Sequence, residues 1–325
     1  MTTADTNVSS PERPLTDAPR ASATLARERA LTTLQVLIRR EFWEHRALWM
    51  APLVTSVLLI ACAFPAHIDF SDFTRASSDG RFRDIAWFAA LQWGLTTLQF
   101  LIAAIVVNFY LLDCLFAERK DRSILFWKSL PASDGATVLS KLLVAQAVVP
   151  LGVYLLSIPT ALLFSLVWMV RASLGHLPAA VAMWDTVAWL KVEVIVLFTG
   201  VVAALWYVPL SAYLLLVSAW ARRSVFLWAT LPPVLAIVLE HVAFGTRYVW
   251  SLIAYRTGGI FDYVHIQKII EGTILSAGSG HPISLGAASA ELARAFGNID
   301  LWIGLAVGAA LTYAAARIRR YRDDT

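Results

Sequence analysis

Charged residues divide this chain into long silent stretches and short dense clusters. Residues 47–68, 85–112, 142–170 and 194–221 contain no Asp, Glu, Lys or Arg, residues 224–246 hold Glu240 alone, and residues 301–316 are again uncharged. A hydrocarbon layer roughly 30 Å thick takes about 20 helical residues to cross. Four windows exceed that length. The fifth spans if Glu240 lies near its end, and the sixth if Asp300 and Arg317 reach out to the two interfaces. The pattern predicts an all-α polytopic membrane protein with six transmembrane helices at about 47–66, 86–112, 138–170, 193–219, 225–245 and 300–317. Ahead of the first span, Leu31, Leu34, Ile38 and Phe42 recur at helical spacing with Leu37 beside them, while Arg27, Arg39, Arg40 and Glu41 fall off that stripe. This predicts an amphipathic interfacial helix over 25–46. Residues 1–24, rich in Ser, Thr, Pro and Asp, read as a disordered tail, and 318–325 as a second, short tail.

Between the spans, a loop at 114–136 follows the second window, and a long loop at 247–299 precedes the last. Gly258–Gly259 and the stretch from Ser276 to Gly280 interrupt the long loop, with short helices expected at 263–272 and 287–296. Loops of such length are usually functional. Pro52, Pro150, Pro159, Pro209, Pro232 and Pro233 fall inside spans and mark kinks. In the last span, Gly304 and Gly308 form a small-xxx-small face suited to close helix approach, within the chain or between two copies.

Composition supports the membrane reading. Of 325 residues, 58% are hydrophobic and 15% charged, where a soluble domain averages about 25% charged. Too little polar sequence remains to coat six buried helices in water. Cys62 and Cys114 fall near opposite ends of the first two spans, too far apart for a disulfide, so two free thiols are expected. With six spans both termini share one side, and that side carries 18 of the 27 Lys and Arg residues. The positive-inside rule then makes it the cytoplasmic side, with 247–299 outside. The basic balance follows from this bias and does not indicate nucleic acid, since no basic stripe with interleaved aromatics lies away from the membrane edges.

The sequence carries little that could do covalent chemistry. It has no phosphate-cradling G-x-x-x-x-G-K-[ST], no H-E-x-x-H, C-x-x-C or G-x-S-x-G, and its six histidines show no ligand spacing. No catalytic or metal-binding residue is expected, and no cofactor. Among charges near or within spans, Asp113 and Glu193 are expected at span ends within reach of water. Glu240 and His241 lie deeper, as an interfacial carboxylate near Arg247 or as a gate or substrate contact.

The loop at 114–136 is the most informative segment. It opens with alternating charge from Glu118 to Arg122, exposes Ile124, Leu125, Phe126 and Trp127, and closes on Leu130–Pro131 before Ser133–Asp134, a helix start signal. An apolar knob rimmed by charge fits a docking surface, as a short helix lying across the spans. The alternative is a knob resting in the headgroup layer.

The entry helix with Arg39-Arg40-Glu41-Phe42-Trp43, the six spans, the loop E-R-K-D-R-S-I-L-F-W-K-S-L-P-A-S-D and the long outer loop together resemble the membrane subunits of type 2 ABC exporters, a bacterial permease family. The resemblance covers about residues 30–320. It implies a permease in the bacterial plasma membrane, acting with a second copy of itself or a similar subunit, and driven by a separate cytoplasmic ATPase that binds ATP and Mg. The loop would be a coupling helix, with Asp121, Arg122, Ser123, Ile124, Leu125, Trp127, Lys128 and Ser129 docking on the ATPase, and outer re-entrant helices would fall within 247–299. An ion-gradient-driven secondary transporter and an integral membrane scaffold are the alternatives.

Overall fold

The structure is a computed structural model that describes residues 18–65, 80–121, 133–175, 186–260 and 285–321. Among the described residues there is no strand and there are ten helices: α1 Ala18–Glu44, α2 Ala47–Cys62, α3 Gly80–Lys120, α4 Asp134–Ser173, α5 Thr186–Trp206, α6 Val208–Trp220, α7 Val225–Phe244, α8 Tyr248–Gly258, α9 Leu285–Gly297 and α10 Ile299–Tyr321. Five of them, α3, α4, α5, α7 and α10, contain stretches long and apolar enough to cross a membrane, and α1 with α2, bent by 56° at their junction, makes a sixth crossing if the pair is counted as one. The protein is an all-α polytopic membrane protein, as the uncharged windows predict.

The spans differ from their windows at the ends. Helix α3 runs on to Lys120, and α4 begins at Asp134 and extends for 40 residues, about 60 Å at 1.5 Å per residue. Both are longer than a bilayer crossing needs, and they meet at the face where α1 ends and α10 terminates, the basal face. Ser133 starts α4 by accepting a hydrogen bond from Ala136 N at 3.1 Å, the cap the sequence signals there. A π-helical turn occupies Val144–Val148 in α4, just ahead of Pro150, whose missing N–H disturbs the ladder at that point.

The predicted fourth span is two helices. Pro209 has no N–H for the Leu205 carbonyl, and Tyr207 stands between α5 and α6. Hydrogen bonds from Tyr207 N to Ala203 O and from Ser211 N to Tyr207 O, both 3.0 Å, carry the chain across the break. Helix α7 meets a similar defect. Pro233 cannot donate to Ala229 O, and the Tyr213 hydroxyl of α6 donates to that carbonyl instead, at 2.9 Å. Within α7 only Val225 and Ala229 are buried.

Leu111, Val138, Val144, Leu215 and Ala315 anchor a basal core joining α3, α4, α6 and α10. Val192, Val202, Trp206 and Leu301, with Ile260 and Ala295, form a second core toward the opposite face. Interhelical hydrogen bonds join α2, α3 and α4: Gln99 Nε2 donates to Ser56 Oγ at 2.7 Å and to Thr160 Oγ1 at 3.1 Å, and Gln92 Nε2 to Ser165 Oγ at 3.2 Å. The two glycines of α10 face neighbours in the same chain. A Cβ on Gly308 would lie 2.6 Å from Val208 Cγ1 beside the α5–α6 break, and one on Gly304 would lie 2.7 Å from Arg256 Nη1 of α8. Of the two packing roles the sequence leaves open, the structure shows the intrachain one.

Candidate functional site

The described loop ends are set in a buried ionic cluster on the basal face. Lys141 of α4 is 1% exposed, and its Nζ lies 2.8 Å from Glu41 Oε1 and 3.1 Å from Glu118 Oε1. Glu41 is fully buried on α1, where it also accepts a hydrogen bond from the Tyr110 hydroxyl at 3.0 Å. Arg40 Nη2 reaches Glu118 Oε1 at 2.7 Å, and Arg319 Nη2 of α10 reaches Glu118 Oε2 at 3.0 Å. Arg319 also pairs with Asp134, the first residue of α4. Three cations, Arg40, Lys141 and Arg319, thus meet three carboxylates, Glu41, Glu118 and Asp134, from four helices. Buried charges persist where partners and hydrogen bonds satisfy them, and removing one partner strands the rest.

Next to the cluster, Arg119 donates from Nη2 to Ser218 O at 2.6 Å and to Ala221 O at 2.8 Å. A guanidinium there stabilises the exposed carbonyls at the end of α6. His45, at the α1–α2 elbow, stacks edge-on against Tyr110 with ring centroids 4.7 Å apart. Burial lowers its pKa against the opposing pull of Glu41.

These contacts bracket residues 122–132. Glu118 and Arg119 precede that stretch, and Asp134 and Lys141 follow it, and all four are fixed to α1, α6 or α10. Asp121 is exposed at the end of α3. Arg122, Ser123, Ile124, Leu125, Trp127, Lys128 and Ser129 lie outside the described residues.

A second constellation lies near the opposite face, where α8 meets the α5–α6 break. The Arg256 guanidinium stacks 4.6 Å from the Trp206 ring centroid and donates to Asp300 O at 2.6 Å. Tyr255 donates to Asp300 Oδ2 at 2.8 Å, Trp206 Nε1 to Arg256 O at 3.2 Å and Tyr207 to Thr257 O at 2.9 Å. One helix end is thereby clamped both to the break and to the start of the last span.

The remaining sequence candidates separate. Glu240 is committed to the α7–α8 turn: its carboxylate accepts from Thr246 Oγ1 and Tyr248 N at 2.6 Å and from Val249 N at 2.7 Å. It satisfies amide donors that a helix start leaves open. His241 is exposed beside it. On α1, Leu37 is buried, Leu34 and Ile38 are half-buried, and Leu31 and Phe42 are exposed. The stripe therefore packs through its middle, and Glu41, read from the sequence as off the stripe, is on the packed side. Glu193 is not at a span end. It lies seven residues into α5 and is 4% exposed. Cys62 and Cys114 are free thiols. Among the described residues no group of three or more His, Cys, Asp or Glu could hold a metal ion. Comparison of the chain with protein-family models, with curated proteins and with solved structures finds no match in any of the three.

Proposed function

We propose that this chain is the permease subunit of an ATP-binding-cassette exporter, forming the translocation pathway and taking its motion from a separate cytoplasmic ATPase. The observation that supports this most is the ionic cluster. Both ends of the 122–132 loop are built into it, together with the entry helix and the last span. A push on such a loop reaches four helices at once, because buried charges do not slide past one another without exposing unpaired partners. In this reading the basal face is cytoplasmic, ATP closes the motor, the loops of two permease copies move together, and the spans exchange inward-open for outward-open packing. The clamp of α8 on the α5–α6 break is then the outer closure, held by Arg256, Trp206 and Asp300. The membrane is the bacterial plasma membrane.

One observation favours a second reading. Glu193 is a buried carboxylate within a span, and such groups serve ion paths in gradient-driven transporters. Co-expression with the ATPase encoded beside this chain, followed by purification through a tag on the permease, separates the two. Stoichiometric recovery of the ATPase is expected, and its absence would remove the exporter reading. Trp127→Ala and Arg122→Glu should each weaken that association by about tenfold or more, the usual effect of losing a docking anchor, with membrane insertion intact. Wild-type recovery and turnover in both variants would remove the docking role of the loop.

A further inference from the structure

Among the described residues five charged side chains are buried: Glu41, Glu118, Lys141, Arg319 and Glu193. The first four neutralise one another on the basal face. Glu193 stands apart. Its carboxylate makes no hydrogen bond or ion pair among the described residues, and its Oε2 is buried and unpartnered. Only its backbone carbonyl is engaged, by the Tyr154 hydroxyl at 3.3 Å. Seven residues at 1.5 Å put it about 10 Å below the start of α5. The surrounding turns of α5 pack in the second core with Ile260, Ala295 and Leu301, and the aromatic rings of Trp93, Phe100 and Tyr154 border that core. An ionised carboxylate in such surroundings is unfavourable unless a positive charge meets it or a proton neutralises it.

We infer that Glu193 is the recognition point for the cationic group of an amphiphilic cargo, an ammonium-like centre carried on an apolar body. Among the described residues every other buried charge is matched by an opposite one, and Glu193 alone is not. The carboxylate supplies the counter-charge. Trp93, Phe100 and Tyr154 supply aromatic faces, which attract cations and cover apolar surface at once. In the conformation described the site is closed, since Glu193 is almost fully covered. The inference deepens the export reading by giving it a substrate class, and it rests on that reading for the direction of movement.

Binding to the full-length chain in lipid nanodiscs, with no ATPase present, tests the inference separately from transport. Tetraphenylphosphonium is the cationic probe and triphenylphosphine oxide the neutral one, each measured by equilibrium dialysis against empty nanodiscs. Glu193→Gln should weaken phosphonium binding by about tenfold or more, the effect of losing one charge-assisted contact, and leave the neutral probe unchanged. Glu193→Asp, which keeps the charge, should retain most of the binding. In the wild-type chain, where no substitution can disturb folding, dicyclohexylcarbodiimide should add to Glu193 as an N-acylurea seen by mass spectrometry, and the phosphonium should slow that labelling where the phosphine oxide does not. Equal phosphonium binding by wild type and Glu193→Gln, or labelling governed by acidity and indifferent to the phosphonium, would overturn the inference. The latter outcome would assign the carboxyl to a proton. Failure to recover an ATPase with the chain would remove the export reading and leave these binding results standing.

Discussion

The two ends of the bundle treat buried charge in opposite ways. On the basal face Glu41, Glu118, Asp134, Arg40, Lys141 and Arg319 form a neutral set contributed by four helices. In the other half a single carboxylate, Glu193, has no counter-charge among the described residues, and the neighbouring contacts are made by an arginine on a tryptophan ring and by hydrogen bonds to backbone oxygens. A set of mutually paired charges holds helices in register and responds as a unit. If Glu193 receives a cationic ligand, the unpaired group is held ready for something from outside the chain. The difference shows that a buried charge in this fold is not one kind of feature, and that its partners decide whether it reads as structure or as function.

Four substitutions would break or sharpen that contrast. The largest effect is expected for Lys141→Ala, which takes from the fully buried Glu41 its closest cation and leaves Glu118 to Arg40 and Arg319. A loss of about 3–5 kcal/mol is expected, read as a lower thermal unfolding midpoint in detergent. Glu41→Leu combined with Lys141→Met should recover most of the loss, because removing both charges leaves little to satisfy. An unchanged midpoint in Lys141→Ala would show that the cluster is open to water. Next is Gly308→Val, which drives a branched side chain into Val208 and the Pro209 backbone. Overpacking of this kind costs about 1–3 kcal/mol, read as a lower unfolding midpoint in the same detergent.

Glu193→Leu should have the opposite sign. With an unpaired polar group replaced by an apolar one, stability should rise by about 1–2 kcal/mol, while phosphonium binding falls. Destabilisation by this substitution would mean that Glu193 has a structural partner and belongs with the basal set. The smallest effect is expected for Gly304→Ala. Its Cβ would meet only the far end of Arg256, which can swing aside, so a loss below about 1 kcal/mol is expected. The unfolding midpoints of Gly304→Ala and Gly308→Val, measured side by side, show whether α8 or the α5–α6 break is the less yielding neighbour.

The spans were legible because a bilayer forbids unpaired charge over some 20 residues, and that exclusion is written directly into the uncharged windows. The same logic concealed the site. Lys141 looks like an ordinary charge marking the end of a window, Glu118 like the first of the charges that open a loop, and Glu41 like the solvent side of an amphipathic helix. Their pairing joins residues about a hundred positions apart and leaves no local pattern. The one available signal was the density of mixed charge at Arg39–Glu44 and Glu118–Arg122 facing a solitary Lys141. Glu193 was misplaced for a related reason: a window bounded by charges puts each bounding residue at the edge, whereas α5 starts at Thr186 and buries that carboxylate well inside. Helix α8 escaped because its 11 residues are too few to span a bilayer and run into Gly258–Gly259, which read as a break. The glycine pair was visible as a small face, but its neighbours, Arg256 and Val208, become apparent only in three dimensions.

The bond from Tyr213 to the Ala229 carbonyl has a mechanical consequence. Pro233 removes a rung from the α7 ladder, and the replacement rung belongs to another helix. Flexing α7 near its two prolines therefore stretches a link to α6 rather than one of its own. The two helices are also joined by Trp220 against Trp228, with ring centroids 4.7 Å apart, so this bond adds a polar link to a packed one. Removing one oxygen, as in Tyr213→Phe, would leave the Ala229 carbonyl without its substitute donor and let α7 bend on its packing contacts alone.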